Sequence, residues 1–587
     1  MSLHSTLLGT VSSVTGSSVT VEIANSVDSG IVIIGGRNYR VGQVGSFVKI
    51  LLGYNHLYGV IAGSSESSQL EDNLPIRTDR RWIKIELVGE VIAGDFERGI
   101  SEYPSIGNEA HIVTDKDLIK VFGTPSEGHF KVGTLSSSDG ISVSLDLDKL
   151  VTRHSAILGS TGSGKSTSTA SIIRSIVTNE ETLKLPSARI LLVDIHGEYE
   201  PALRDIAKVF SVMPKAENRL EIPYWCLSPN NLIEFLCGPM SEIHKTLFLD
   251  KTIEEKILSI DTNKIQGIDS NKITSVTPLP YRIKKVWYDL AHDDSVTWDD
   301  AALTIPAYTA NGQGDFQNLV AAKFRPPSPG NATPNKGGLG AMKRQLDLMK
   351  SRLTDAQFSF MLEPGDWNPD EKGAIKKDLD SLVSGWLGHD KPVTILDLSG
   401  MPSSTLSLLL GTILDILFEI SIWGRDNEAG MRQRPLLLVL EEAHRYLSKS
   451  ESGLAKHMVQ RIAKEGRKFG VGAMLVSQRP SEIDETILSQ CGTIISLRIN
   501  NSSDRSIVKS AISEGLAGIV DSLPVLRTGE AVIVGEAAKL PTRCRFNLLP
   551  EDKYPNSKDP EVTKQWRKPQ TAENYAELIK NWRTQSN

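Results

Sequence analysis

The stretch of sequence that decides the fold covers residues 159–166 and reads Gly159-Ser160-Thr161-Gly162-Ser163-Gly164-Lys165-Ser166. A short apolar run, Ala156-Ile157-Leu158, precedes it, and a helical pattern over 168–177 follows it. A strand, a glycine loop and a helix N-terminus in this order form an anion cradle, because the loop N–H groups and the helix dipole both favour negative charge. The alternative is a flexible Gly/Ser loop. Because both flanking elements are present, the stretch predicts a nucleoside triphosphate-binding loop.

The residue types in this loop predict their roles. Lys165 is expected to reach the β- and γ-phosphates, and Ser166 is expected to offer its hydroxyl to Mg²⁺. The sequence therefore predicts ATP and Mg²⁺ as cofactors. The expected nucleotide-binding residues are Gly159, Ser160, Thr161, Gly162, Ser163, Gly164, Lys165, Ser166 and Thr167.

The composition is typical of a soluble protein with several domains. The chain has 587 residues, of which 40% are hydrophobic and 23% are charged, so two to four domains are expected. A net charge of −6 and a pI near 6.1 give no overall nucleic-acid signature, so any DNA contact must be local. Four scattered cysteines without a C-x-x-C spacing, and an N-terminus without a secretory signal, predict a cytoplasmic protein.

One segment, residues 406–423, is apolar enough to be considered as a membrane span. Asp415 and Glu419 lie one helical turn apart within it, which places both carboxylates on one helix face. A buried amphipathic helix explains this pattern better than a bilayer span. We therefore expect no membrane contact.

The chain divides by pattern into three parts. Residues 1–150 contain short alternating strands separated by glycines, which predicts a small β-barrel for assembly or partner docking. Residues 151–547 predict an α/β fold, a RecA-like P-loop ATPase core with a mainly helical insertion at about 240–390. Residues 548–587 predict a tail with a terminal helix.

A second chemical signal follows the apolar strand 436–440, which ends in Glu441-Glu442. Ligands bind at the carboxyl ends of strands in open α/β sheets, and neighbouring residues can take different tasks there. Glu441 is expected to hold the Mg²⁺ shell, and Glu442 to orient and polarise an attacking water. Paired with the glycine loop, the two acids predict ATP hydrolysis.

Two further polar residues extend this prediction. Gln478 ends the next apolar strand, where it is expected to sense the γ-phosphate or to position water, or simply to cap the strand. Arg467 lies near the end of a predicted helix, where cations commonly complement the helix dipole. The functional alternative is an arginine finger, which stabilises charge on the transferring phosphoryl group.

Five segments of the motor part form one ordered set. They are Arg153-His154-Ser155-Ala156-Ile157-Leu158-Gly159, Asp194-Ile195-His196-Gly197-Glu198-Tyr199, Glu441-Glu442-Ala443-His444, Glu465-Gly466-Arg467-Lys468-Phe469-Gly470 and Ser477-Gln478-Arg479-Pro480. Together they resemble the HerA family, the hexameric DNA-translocating ATPases of the HerA–FtsK branch. They appear in that family's order, cover the motor from about 153 to 500, and stand beside an N-terminal β-domain that resembles the HAS-barrel.

The resemblance assigns a role to several residues. It implies Lys165 for phosphate, Ser166 for Mg²⁺, Glu442 for the catalytic water and Gln478 as the sensor. It also implies that Arg467 acts in trans and that Arg153 is a second arginine near the nucleotide. Asp194, His196 and Glu198 belong to a signature without a derived role, so they stand as possible site residues.

The resemblance also implies partners. The expected protein is a homo-hexamer that hydrolyses ATP and translocates on double-stranded DNA. A nuclease or sirtuin-like effector, docked on the β-barrel face, would add a second activity in DNA end processing or anti-phage defence. The alternative is a nucleotide-gated ring scaffold that activates an effector without obligatory DNA movement. Both use the same catalytic residues, so the motifs alone do not separate them.

Overall fold

The structure is a computed structural model of the whole chain. The residues that it describes are 6–25, 27, 30–34, 36–69, 78–92, 94–123, 128–178, 185, 187–213, 215–300, 302–327, 333–334, 340–401, 403–512, 517–557, 561–568 and 575–584.

The N-terminal part forms a closed six-stranded antiparallel barrel. Its hydrogen-bonded order is β2-β1-β9-β5-β6-β7, and β7 pairs back onto β2 to close the cylinder. Inward-facing residues alternate along the strands, as Val19 and Val21 of β2 and Ile83 and Ile85 of β7 show by being fully buried. This confirms the predicted barrel. The strands of this part are β1 Leu7–Thr15, β2 Ser18–Ile23, β3 Ile31–Ile34, β4 Arg37–Arg40, β5 Phe47–Leu52, β6 Asn55–Gln69, β7 Thr78–Ile92, β8 Asp95–Arg98 and β9 Glu109–Ile112.

A short connection leads from the barrel into a second sheet. Helix α1, Asp115–Phe122, packs its Phe122 ring edge-on against Phe47 of the barrel, with ring centroids 5.9 Å apart. Strands β10, His129–Leu135, and β11, Ser138–Asp146, then pair with each other, and β10 also pairs with a late strand of the ATPase sheet. The barrel therefore ends before the predicted boundary at 150, because the pairing of β10 and β11 places them in the second sheet.

The second sheet is the RecA-like core that the sequence predicts. Its order is β11-β10-β22-β21-β20-β12-β19-β18-β13-β17-β14, and all pairings from β20 to β14 are parallel. Strands β13, β18 and β19 are buried at every position, as expected for a parallel sheet covered on both faces. The strands after β11 are β12 Ser155–Leu158, β13 Ile190–Asp194, β14 Ala207–Ser211, β15 Thr297–Trp298, β16 Thr333–Pro334, β17 Val393–Asp397, β18 Leu436–Leu440, β19 Val471–Ser477, β20 Thr493–Ser496, β21 Glu530–Gly535 and β22 Thr542–Phe546.

Helices cover this sheet and fill the connection between β14 and β17, which contains the predicted insertion. The insertion is mainly helical, and Arg282 and Glu255 form a bidentate ion pair at 2.7 Å within it. The helices after α1 are α2 Leu147–Thr152, α3 Lys165–Val177, α4 Glu200–Leu203, α5 Pro229–Cys237, α6 Glu242–Asn263, α7 Ile283–Ser295, α8 Lys343–Thr354, α9 Ser359–Leu362, α10 Leu379–Leu387, α11 Ser403–Trp423, α12 Leu454–Phe469, α13 Glu485–Leu488, α14 Ser502–Ser510, α15 Ala517–Val520, α16 Val562–Trp566 and α17 Ala576–Thr584.

Helix α11 is the segment considered above as a membrane span. Within the described residues it is the one helix long and apolar enough to cross a bilayer, and 61% of its apolar window is buried inside the protein. It packs along α12, where Glu419 binds Arg461 at 2.8 Å and the Arg461 guanidinium lies over the Phe418 ring. These contacts are typical of a core helix whose acidic face binds a neighbouring helix, here α12.

Candidate active site

The glycine loop has the geometry of a phosphate cradle. It joins the fully buried strand β12 to helix α3, which begins at Lys165. Gly162 and Gly164 have φ values of 73° and 88°, which L side chains rarely adopt. At Gly159, an added Cβ would lie 2.6 Å from Ser163 Oγ, so the loop closes tightly on itself. The predicted strand, loop and helix are therefore present in the predicted order.

Two later segments hold this loop in place. Ser160 N–H donates to the Arg498 carbonyl at 2.9 Å, and the Arg498 guanidinium donates back to the Gly162 carbonyl at 2.9 Å. On the other side, Gly529 N–H donates to the Ser163 carbonyl at 3.1 Å. No motif predicts Arg498 or Gly529, because the loop groups that they bind are backbone atoms.

Lys165 and Glu442 meet at the centre of the site. Their side chains are almost fully buried, and Lys165 Nζ donates to Glu442 Oε1 at 2.7 Å. Burial by itself raises the pKa of Glu442, but the His444 ring and the Lys165 ammonium outweigh burial and lower that pKa to about 2. Glu442 is therefore a carboxylate near neutral pH, which is the form a general base requires.

The second oxygen of Glu442 is unsatisfied. Glu442 Oε2 lies 3.1 Å from His444 Nδ1, yet this buried atom has no partner in hydrogen-bond geometry. His444 Nδ1 is also 3.3 Å from Ser477 Oγ, at the end of β19. Glu442 itself has a left-handed backbone with a φ of 46°. A buried carboxylate oxygen without a partner is a costly arrangement, which functional sites commonly contain.

The acids of the 194–199 turn have separate tasks. Asp194 is fully buried and accepts N–H bonds from His196, Gly197 and Tyr199 at 3.2, 2.8 and 2.9 Å. These bonds fold the turn, and burial raises the pKa of Asp194. Glu198, in the same turn, accepts the Ser166 hydroxyl at 3.1 Å. His196 is exposed at the turn. The turn thus brings Glu198 to the hydroxyl expected to bind Mg²⁺.

Glu441 and Gln478 complete this edge of the sheet. Glu441 is 1% exposed, and its Oε2 accepts the Ile195 N–H at 3.2 Å. Burial and the neighbouring Asp194 carboxylate raise the pKa of Glu441 well above its usual value. Gln478 Oε1 accepts the Thr161 hydroxyl at 2.7 Å, which joins the end of β19 to the glycine loop. Gln478 therefore lies where a phosphate sensor is expected.

Arg153 and Arg467 lie at the opposite edge of the sheet. Arg153 comes two residues before β12 begins, whereas the glycine loop follows the end of β12. Arg467 lies in the last turn of α12, which leads to the start of the parallel neighbour β19. Gly159 is the sixth residue after Arg153, roughly 20 Å along an extended chain, which is farther than an arginine side chain reaches. We call this place, defined by Arg153 and Arg467, the arginine edge.

The two arginines differ in their local partners. Arg153 forms an ion pair with Glu536, and its carbonyl accepts the Gly492 N–H at 2.7 Å. Arg467 is exposed on the last turn of α12. Neither arginine has a recorded contact with the glycine loop of its own chain.

Two family sequence models match this chain. Helicase HerA, central domain, matches residues 130–417. Helicase HerA-like C-terminal matches residues 407–544, so the two together cover well over half of the chain. The chain belongs to the HerA family. As a HerA protein it is an ATPase, which confirms the prediction made from the glycine loop and the paired glutamates.

Similar proteins span most of this HerA chain. The DNA double-strand break repair helicase HerA of Sulfurisphaera tokodaii is 27% identical over 483 residues, which are 82% of this chain and 80% of that protein. The protein of the same name from Saccharolobus solfataricus is 28% identical over 486 residues, again 82% and 80%. Among solved structures, VirB4 of Thermoanaerobacter pseudethanolicus has a TM-score of 0.46 at 13% identity, covering 73% of this chain and 99% of its own.

The residues of this HerA site fit ATP and Mg²⁺. Besides Glu442 Oε2, the hydroxyl of Ser163 in the glycine loop is buried without a hydrogen-bond partner. Ser166 and Glu198 supply the hydroxyl and carboxylate oxygens that Mg²⁺ prefers, whereas a metal role for Glu441 stays a prediction. Bound Mg²⁺ neutralises charge that develops on the phosphates.

Proposed function

We propose that the chain forms a homo-hexameric ring in which the arginine edge of one subunit completes the nucleotide site of the next. Hydrolysis at these shared sites drives movement along double-stranded DNA. The observation that carries this proposal is the placement of Arg153 and Arg467 at the sheet edge opposite the glycine loop. A head-to-tail ring brings opposite edges of neighbouring subunits together. The relatives that carry the name helicase HerA support the DNA substrate.

In this proposal the side chains of the site exchange partners when ATP binds. Lys165 turns from Glu442 Oε1 to the phosphates, which releases the carboxylate that it holds at 2.7 Å. Glu442, whose pKa the His444 ring also lowers, then orients the attacking water. Gln478 reports phosphate contact to the glycine loop through Thr161. Arg467 from the next subunit stabilises the charge on the transferring phosphoryl group.

The proposal extends to a partner and a place in the cell. A nuclease or sirtuin-like effector would dock on the β-barrel, which is a separate closed cylinder beside the motor sheet. The complex would work in the cytoplasm, in DNA end processing or anti-phage defence. What supports a second subunit is the sequence, which carries a single glycine-loop motif and no nuclease motif beside it.

Arginine substitutions test the shared site. Arg467→Ala is expected to leave ATP affinity and ring size unchanged and to lower turnover by about 10³-fold or more, because the guanidinium acts only in the transition state. The turnover of Arg467→Lys is also expected to stay low, since an ammonium lacks the planar, forked set of N–H donors of a guanidinium. Lys464→Ala is the matched control, an exposed cation on the same helix, and should keep full turnover. Full activity of Arg467→Ala would contradict the assignment.

Turnover with and without linear duplex DNA tests the motor. The proposal predicts that DNA raises the rate, and that this stimulation weakens steeply as salt rises, because the contacts are mainly to phosphates. Turnover that ignores DNA but responds to an effector subunit would support the nucleotide-gated scaffold instead.

A further inference from the structure

His154 separates Arg153 from the start of β12 and has an unusual backbone. Its φ is 53°, in the left-handed region that few non-glycine residues adopt, and its side chain is buried with 5% of the residue exposed. Residues held in such conformations cluster at functional sites, where the surrounding structure enforces them. A histidine there needs a reason, because a glycine would adopt the same backbone without strain.

The His154 ring joins three elements of the core. Its Nδ1 accepts the Ala473 N–H of β19 at 3.0 Å, so the proton sits on Nε2, and the ring faces the Ala463 backbone of α12. Burial lowers the pKa of His154 to about 4, so the ring is neutral near pH 7 and Nδ1 stays an acceptor. The ring therefore ties β19 to the start of β12 by one directed hydrogen bond and lies against α12.

The His154 ring lies beside α12 at Gly466. A Cβ added at Gly466 would lie 3.5 Å from His154 Cε1, an ordinary van der Waals distance, and 2.4 Å from the Val471 carbonyl. Gly466 directly precedes Arg467, and His154 directly follows Arg153. The ring on the residue after Arg153 thus lies beside the residue before Arg467, at the edge where β12 and β19 begin.

We propose that His154 is a positioning residue for the arginine edge, holding the last turn of α12 against β12 and β19 so that Arg153 and Arg467 reach the neighbouring subunit's nucleotide together. This inference rests on the proposed function, because it requires the arginines to act in trans. His154 touches no reacting group itself. The alternative is a histidine that only stabilises the core.

The variants separate these two roles. His154→Gly removes the ring and keeps a backbone that tolerates the observed φ, so it avoids strain. His154→Asn keeps an acceptor where Nδ1 stands and also tolerates left-handed φ. The matched control is His111→Asn, since His111 is a fully buried histidine of the barrel, on β9, far in sequence from the arginine edge.

The test measures ATP turnover, ATP affinity and ring size of the full chain. His154→Gly is expected to lose about a hundredfold in kcat with unchanged affinity and ring size, because a misplacement of about 1 Å has that effect on a positioned group. His154→Asn is expected to recover at least part of kcat. His111→Asn should match the unmodified chain. Loss of ATP affinity together with kcat in His154→Gly would indicate general unfolding and overturn the proposal.

Mixed rings then show whether His154 acts in trans. Subunits with His154→Gly have an intact glycine loop, and subunits with Lys165→Ala have an intact arginine edge. Co-expressed with two tags and purified as mixed rings, the two inactive variants are expected to regain turnover. The reference is a mixture of Arg467→Ala with Lys165→Ala subunits. If this reference regains turnover and the mixture of His154→Gly with Lys165→Ala does not, the positioning role alone is overturned. Failure of both mixtures would overturn the shared site and this inference with it.

Discussion

At the scale of single residues, the site depends on one carboxylate in a strained position. Glu442 follows β18 with a φ of 46°, a conformation that costs about 1–3 kcal/mol for a residue other than glycine. That turn directs its side chain to Lys165, and the other carboxylate oxygen, 3.1 Å from His444 Nδ1, has no partner in hydrogen-bond geometry. The strain is consistent with a group prepared for a water molecule.

Glu442→Gln tests this interpretation. The amide keeps the shape of the side chain but does not accept a proton, so turnover is expected to fall by about 10²–10⁴-fold. ATP affinity should be at least as high as in the unmodified chain, because Lys165 no longer has a charged competitor for the phosphates. Steady-state turnover and equilibrium binding of a fluorescent ATP analogue measure the two effects.

The control for this variant is Glu234→Gln, an exposed glutamate on α5, in the connection between β14 and β17. It should change neither quantity. Retained turnover in Glu442→Gln would assign the base to another group.

The sequence predicted the residues of the site better than the contacts between them. Lys165, Ser166, Glu442 and Gln478 follow from residue type at the ends of strands, because parallel strands deliver their carboxyl ends to one edge. Arg498 and Gly529 could not be predicted, since the loop groups that they bind are backbone atoms. His154 lies in the 153–159 segment, one of the five that resemble the HerA family. Neither its positive φ nor the contacts of its ring have a sequence signature.

At the scale of elements, the boundary between barrel and motor shows what a pattern cannot decide. Strands β10 and β11 alternate buried and exposed residues as barrel strands do, because they form the antiparallel margin of the second sheet. Only their pairing partner, β22, assigns them to the motor. The alternation of buried and exposed residues identifies a strand, whereas the strand that it pairs with depends on long-range contacts.

Two truncations test this boundary. A chain that starts at 128 keeps β10 and β11 and is expected to unfold cooperatively and bind ATP. A chain that starts at 151 loses both strands, which leaves β22 as an unpaired edge and exposes core residues that pack on Phe130 and Leu145. It is expected to aggregate or to melt at a clearly lower temperature. Equal melting temperatures for the two chains would place β10 and β11 outside the motor.

At the scale of the whole molecule, the sheet separates the two halves of the chemistry. The parallel strands end at the glycine loop, the paired glutamates and Gln478. The arginine edge lies at the other end, where these strands begin. In the proposed ring, each subunit supplies one half of a site to each neighbour. The proposal therefore makes assembly a condition of hydrolysis.

The most direct measurement of this claim is the ATP turnover of mixed rings made from Lys165→Ala and Arg467→Ala subunits. Each variant alone lacks one half of every site. In randomly mixed rings about one interface in four pairs an intact glycine loop with an intact arginine edge, so about a quarter of the unmodified turnover should return. Mixed rings as inactive as either variant alone would contradict a site shared between subunits.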